Sequence, residues 1–217
     1  MRLRSWMVAL ASAASLGSAQ AVDVLSEGFE SVAALAAAGW VFTNTSVAPG
    51  EAWFQGNAGI FPAASGSPGS YAAASFLGTT APTGAISNWL ITPTLTLDST
   101  STVSFSVRND GAGFLDTLEV RLSSAGASAD VANFTSLVGT FSSSTDNGWA
   151  IVSYNFASLA TPVSGRLAFV HVVSDVAVAG NYIGIDNVLV TAVPEPAGWA
   201  LLGLGIAGLA IRRRVLA

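Results

Sequence analysis

Between residues 22 and 192 apolar side chains recur at every second position in short runs, and Gly, Ser, Thr and Asn separate the runs. A period of two belongs to a strand with one buried and one wet face, so the span reads as an antiparallel sandwich. The clearest run is Val103-Ser104-Phe105-Ser106-Val107-Arg108, apolar at odd positions. Leu118-Glu119-Val120-Arg121-Leu122, apolar at even positions, is its expected partner, joined through residues 109–116 with Gly111 and Gly113. If the two pair, Arg108, Glu119 and Arg121 share a solvated face, where each ion pair contributes only ~0–1 kcal/mol. Further strands are expected at 40–44, 52–55, 71–76, 89–92, 149–156, 166–173 and 182–191. One helix is expected at 31–38, with Ser31 as N-cap and Gly39 as its stop, and a weaker one at 130–137. No 20–50-residue period repeats, which argues against propellers and solenoids.

Composition removes whole classes of chemistry. The 217 residues include 13 acidic and eight basic side chains, one His and no Cys; all eight basic residues are Arg. Without Cys there is no disulfide framework, thiolate metal site or Cys nucleophile, and a single His excludes a multi-His centre. Residues 22–192 hold 12 acidic residues and three Arg, a charge of −9, which disfavours nucleic acid and anionic lipid as partners. A span of this length can bury its own core without disulfides, with Trp40, Trp53, Trp89 and Trp149 as large contributors.

The two ends carry sorting patterns. Arg2 and Arg4, an apolar stretch from Trp6 to Leu16, and Ala19-Gln20-Ala21 form a secretory signal over residues 1–21, with cleavage after Ala21. At the other end, residues 193–217 comprise Val193-Pro194-Glu195-Pro196, an uncharged run over 197–211, and Arg212-Arg213-Arg214. As a helix that run spans about 22 Å at ~1.5 Å per residue, short of the ~30 Å hydrocarbon core. Snorkelling arginines and interfacial Trp199 would assist its insertion, with the Arg cluster on the cytoplasmic side. Gly203-Leu204-Gly205-Ile206-Ala207-Gly208 spells a dinucleotide-binding motif, but lacks the strand–turn–helix setting that motif requires.

Pro194-Glu195-Pro196, the apolar run and the Arg cluster together resemble the PEP-CTERM sorting signals of exported proteins in Gram-negative bacteria that make exopolysaccharide. The resemblance implies an exosortase-type enzyme that cleaves near the PEP motif. It also implies an inner-membrane-anchored precursor, and then display at the cell surface or release outside the cell.

Residues 22–192 carry a second resemblance. Glu27-Gly28-Phe29-Glu30, Gly39-Trp40, Ser87-Asn88-Trp89-Leu90-Ile91-Thr92-Pro93, Leu118-Glu119-Val120-Arg121-Leu122-Ser123 and Tyr182-Ile183-Gly184-Ile185-Asp186-Asn187-Val188 are similar to landmarks of choice-of-anchor J domains. These are MAM-like and cleaved-adhesin-like modules, so the expected fold is an all-β, antiparallel jelly-roll β-sandwich. An N-terminal signal helix and a C-terminal apolar transmembrane-like helix would flank it. Residues 126–148 match none of these landmarks.

Calcium takes oxygen ligands and needs neither Cys nor His. In the last strand the apolar parity switches from Ile183 and Ile185 to Val188 and Val190. A bulge at Asp186-Asn187 would produce that switch and re-aim the carboxylate. A regular strand buried on both faces, with Asp186 bonding backbone amides, would also fit. The MAM-like and cleaved-adhesin resemblance implies a structural Ca2+ with Glu30 and Asp186 among its ligands.

Three other chemistries remain. Trp53, among Glu51, Gln55 and Asn57, is the candidate aromatic platform of a lectin-like site. His171 is the only classical base for an ester-hydrolysing Ser, but it alternates with Leu167, Phe169 and Val173 and reads as a core histidine. Glycoside hydrolysis would need two carboxylates ~5–9.5 Å apart, drawn from Glu27, Glu30, Glu51, Asp116, Glu119 and Asp186. No catalytic set is recognisable, so the expectation is a non-catalytic surface or matrix module associated with extracellular polysaccharide. A carbohydrate-binding module and a glycoside or ester hydrolase are the alternatives.

Overall fold

A computed structural model describes residues 20–193. The expected signal segment (1–21), but for its last two residues, and the expected C-terminal apolar helix (197–211) lie outside the described residues. Residues Ala21–Val193 form a compact unit of two six-stranded antiparallel sheets. In chain order the strands are β1 (Val22–Glu27), β2 (Val41–Asn44), β3 (Phe54–Gln55), β4 (Ala72–Ser75), β5 (Ile86–Ile91) and β6 (Leu95–Leu97). They continue as β7 (Thr102–Asn109), β8 (Asp116–Ser123), β9 (Ser136–Ser143), β10 (Ala150–Asn155), β11 (Val163–Val173) and β12 (Tyr182–Ala192). One sheet runs β10-β7-β12-β4-β3 with β1 also on β12; the other runs β2-β5-β11-β8-β9 with β6 on β11.

The main core lies between the sheets. β11 places Leu167 and Phe169 there, and β7 adds Val103, Phe105 and Val107. Burying one such side chain contributes about 1.5–3 kcal/mol. Ala168 and Val170 point the other way, yet they too are buried, under Phe134 from the 124–135 segment. The outer face of the β12 sheet is likewise covered, by Phe61 and Tyr71 packed against Tyr182. Strands covered on both faces lose clean alternation, which is why β11 and β12 read as nearly continuous apolar runs. Trp40, Trp53 and Trp89 are buried as expected, whereas Trp149 is half-buried and meets Phe61 edge-on at 5.4 Å.

Three expectations are corrected. β7 and β8 are not a hairpin: β7 pairs with β10 and β12, β8 with β11 and β9, so residues 110–115 arch between sheets. Arg108 therefore pairs with Asp146 (2.7 Å), while Glu119 and Arg121 pair with each other (2.6 Å). The helix at 31–38 is a single 3-10 turn, Val32–Ala34, followed by further turns. Ser31 makes no capping bond there; the Gln55 side chain accepts the Val32 N–H instead. At 130–137 there is a 3-10 turn, Val131–Asn133, capped by Asp130, and then the start of β9.

β1 pairs antiparallel with β12, from Val22↔Ala192 to Glu27↔Val188. The strands that lead to both ends of the domain therefore meet at one pole.

Candidate functional site

β12 pairs regularly with β7 up to Asp186↔Ser106, shifts register, and resumes at Leu189↔Ser104. This is the bulge expected from the parity switch, and it restores Val188 and Val190 to the core side. Asn187 takes a left-handed backbone (φ 51°) to make it. Asp186 is fully buried. Its Oδ2 accepts the N–H groups of Ala64 (2.9 Å) and Ser65 (3.1 Å), and its Oδ1 accepts that of Asn187 (2.7 Å). Burial pushes its carboxyl up, the three backbone donors oppose that, and the nearby charge of Glu30 raises it further.

Glu30 reaches this neighbourhood through a tight turn after β1. Phe29 adopts φ 56°, unusual for a bulky side chain, with its ring fully buried edge-on to Trp40 at 5.7 Å. Two side chains hold the turn: Glu27 Oε1 accepts the Phe29 N–H (2.7 Å), and Gln55 Nε2 donates to the Phe29 carbonyl (2.9 Å). Held this way, Phe29 anchors the core while the next residue, Glu30, stays exposed. Of the two carboxylates expected to meet, only Asp186 is buried.

Ser26, Glu27, Gly28, Glu30, Asn187, Val188 and Leu189 line a cleft of about 370 Å3 beside this pair. Its polar side chains are two carboxylates, an amide and a hydroxyl, oxygen groups of the kind a hard cation takes. Three N–H bonds already occupy much of the Asp186 carboxylate. Among the described residues no three acidic or His side chains converge as a metal cluster. The cleft thus offers Glu27, Glu30 and the Asn187 amide, whereas Asp186 lies behind it and is not part of its lining.

The remaining candidates separate. Trp53 is not an exposed platform: it is 4% exposed, and its indole N–H donates to the Asn88 carbonyl at 3.0 Å. His171 is fully buried, its Nε2 2.8 Å from Asp116 Oδ1, and its Nδ1 has no hydrogen-bond partner among the described residues. The Ser–His contact of a triad is therefore absent among the described residues. Asp116 is engaged by His171 and the Asn181 N–H, and Glu119 by Arg121, so neither stands free as a hydrolytic carboxylate.

Sequence reasoning missed an open groove of about 640 Å3 at the pole opposite the Val22↔Ala192 pair. Phe76, Leu77, Pro82 and Val176 supply apolar surface, and Glu51, Thr79 and Thr80 supply polar groups. Phe76 and Leu77 are each 46% exposed on a 3-10 turn whose Ser75 hydroxyl accepts the Leu77 N–H at 3.2 Å. Among the described residues, Glu51 is the only acidic one lining the groove and none of the lining is basic. The available signal was an apolar pair beside a Gly/Thr/Pro-rich stretch, Phe76-Leu77-Gly78-Thr79-Thr80-Ala81-Pro82.

Fold and tail together define a two-sheet β-sandwich with a C-terminal sorting segment. The PEP-CTERM protein-sorting motif matches residues 192–214. It is a sorting signal recognised by exosortase, a membrane enzyme, and marks an exported surface protein. In fold the domain is similar to the K1 cleaved adhesin domain of Lys-gingipain from Porphyromonas gingivalis W83, at 22% identity and a TM-score of 0.58. That match covers 77% of this chain and 97% of that one. The K3 cleaved adhesin domain of the same protein matches at 20% identity and a TM-score of 0.54, covering 79% and 99%. No curated protein matches the sequence.

Proposed function

We propose that this chain is a non-catalytic adhesion module of a Gram-negative cell surface. Its signal at residues 1–21 exports it, its tail holds it at the inner membrane until an exosortase-type enzyme processes it, and the domain then serves in a polysaccharide-rich matrix. The observation that carries the reading is the sorting motif beginning at residue 192, where β12 ends beside the start of β1. Calcium, held by Glu30 and Asp186, would neutralise the buried carboxylate and fix the turn after β1 to the last strand.

Deleting residues 194–217 tests the sorting half. The truncated protein should appear in the periplasm or medium, and an unchanged distribution would overturn this half.

The groove favours carbohydrate recognition as the second reading. An exposed aromatic ring beside hydroxyls and one carboxylate suits the apolar face and hydroxyl rim of a sugar. With no basic residue among the described residues of its lining, it suits neutral glycans better than anionic ones. A glycan array probed with residues 22–193, with and without calcium, would decide it.

A further inference from the structure

Strand edges are normally blunted by charge, proline, bulges or shortness, because their unpaired backbone groups template the addition of another strand. Nearly every edge described here is blunted. β2 has four residues, β3 two and β6 three. β1 carries Asp23 and Glu27 and has a register shift between Asp23 and Leu25. β9 is longer, but its register against β8 breaks between Val120 and Arg121.

β10 is the exception. Among the described residues it pairs with β7 alone, through six consecutive residues without a shift. Its sequence, Ala150-Ile151-Val152-Ser153-Tyr154-Asn155, has no charge, no Pro and no Gly. Val152 and Tyr154 face the core, and Ile151, Ser153 and Asn155 face solvent. Ile151 is 81% exposed, the highest value among the exposed large apolar side chains described. A strand bonded on one side turns the N–H and C=O of alternate residues outward.

We propose that β10 pairs antiparallel with β10 of a second copy of this chain, joining two sheets into one across a two-fold axis. Charge favours a copy as the occupant. The domain carries −9, so two copies repel over most orientations. β10 is neutral, and nearby Arg108 and Asp146 neutralise each other through two bonds of 2.9 and 2.7 Å. Two like-charged domains therefore meet at least cost along this edge. A two-fold antiparallel pairing also sets side chains of one face opposite each other, so Ile151 would lie against Ile151, Ser153 or Asn155 of the partner copy.

The test is sedimentation of residues 22–193, whose core is closed within the domain, as a function of concentration. Self-association is expected, and a species monomeric at every concentration would overturn the proposal. Because a two-fold interface repeats each substitution, Ile151→Lys sets two like charges together and should weaken association by roughly tenfold or more. Val178→Lys, on an exposed loop residue elsewhere, should leave it unchanged. Equal effects of the two, or loss of association in Phe76→Ser instead, would place the contact elsewhere and overturn the proposal. The chain has no Cys, so single-cysteine variants give an independent readout. Oxidation should cross-link Ile151→Cys or Ser153→Cys into dimers and leave Val178→Cys monomeric; equal cross-linking at all three would again overturn it.

Discussion

Asp186, its carboxyl pushed up chiefly by burial, also feels the charge of Glu30, although 156 residues separate the two in sequence. The bulge in β12 and the left-handed turn at Phe29 bring them together. The last strand and the first are thus joined by backbone pairing, while the two carboxylates at this junction repel each other.

Without a bound cation this link has a definite pH signature. Asp186 holds its proton more tightly folded than unfolded, so its stabilising contribution is complete below the ordinary carboxylate value near 3.8. That contribution is lost as pH rises through the raised folded value. Calcium-free domain should therefore show a stability decline over this window, and Asp186→Asn should flatten it. Urea titrations at several pH values, in EDTA, measure both.

Calcium should reverse that decline. An ion bound only by the folded state adds ~2.7 kcal/mol at a hundredfold excess over its dissociation constant. For a domain of this size that shifts melting by roughly 2–4 °C per kcal/mol. Glu30→Gln and Asp186→Asn should each shrink the shift. A wild-type melt identical in calcium and in EDTA would leave Asp186 as a partner of backbone amides alone.

The buried His171–Asp116 pair should be costly to break from one side. His171→Leu leaves the buried Asp116 carboxyl without its side-chain hydrogen-bond partner and should cost about 1–3 kcal/mol. Combined with Asp116→Asn, which keeps an acceptor for the Asn181 N–H, the loss should fall short of the sum of the single effects. Additivity within about 0.5 kcal/mol would show that the two side chains are not coupled.

At Gly184 an added Cβ would lie 2.8 Å from the Tyr71 ring and 3.1 Å from Phe61. Gly184→Ala should therefore destabilise by about 1–3 kcal/mol through overpacking. A change below about 0.5 kcal/mol in denaturant unfolding would mean that the aromatic cluster yields freely.

Phe76→Ala should separate folding from binding. The side chain is half-exposed, so stability should move by no more than about 0.5 kcal/mol, while neutral-glycan binding drops. Loss of stability without loss of binding would assign Phe76 to the scaffold.

Much of the scaffold was legible because strand period is local information. The bulge at Asp186-Asn187 announced itself through the parity of four apolar residues, and Gly39 (φ 89°) marked a true stop. Pairing was not local. Gly111 and Gly113, both at positive φ, look the same whether a turn closes a hairpin or carries the chain from one sheet to the other. β9 was hidden because Gly139 and the register break interrupt its alternation, and Leu137 sits half in solvent. The ring of Tyr154 occupies the space over Gly139, a reason for that glycine that only the folded chain reveals. In the site, Asp186 was readable from the bulge. Phe76 and Leu77 were not, because apolar side chains in a loop suggest burial until the turn beneath them is seen.

The pairing of β12 also sets how the domain would bear load. β12 has 11 residues and lies inside its sheet, with β7 on one side and β4 and β1 on the other. Val193 follows directly, clasped to Thr100 by bonds of 2.9 and 3.0 Å. Tension applied through the tail and resisted at the far pole would run along β12, loading both hydrogen-bond ladders in shear. Bonds loaded that way share the force and fail together rather than opening one after another. A domain tied by this strand would yield slowly under drag, with a lifetime set by the barrier to unfolding rather than by its equilibrium stability.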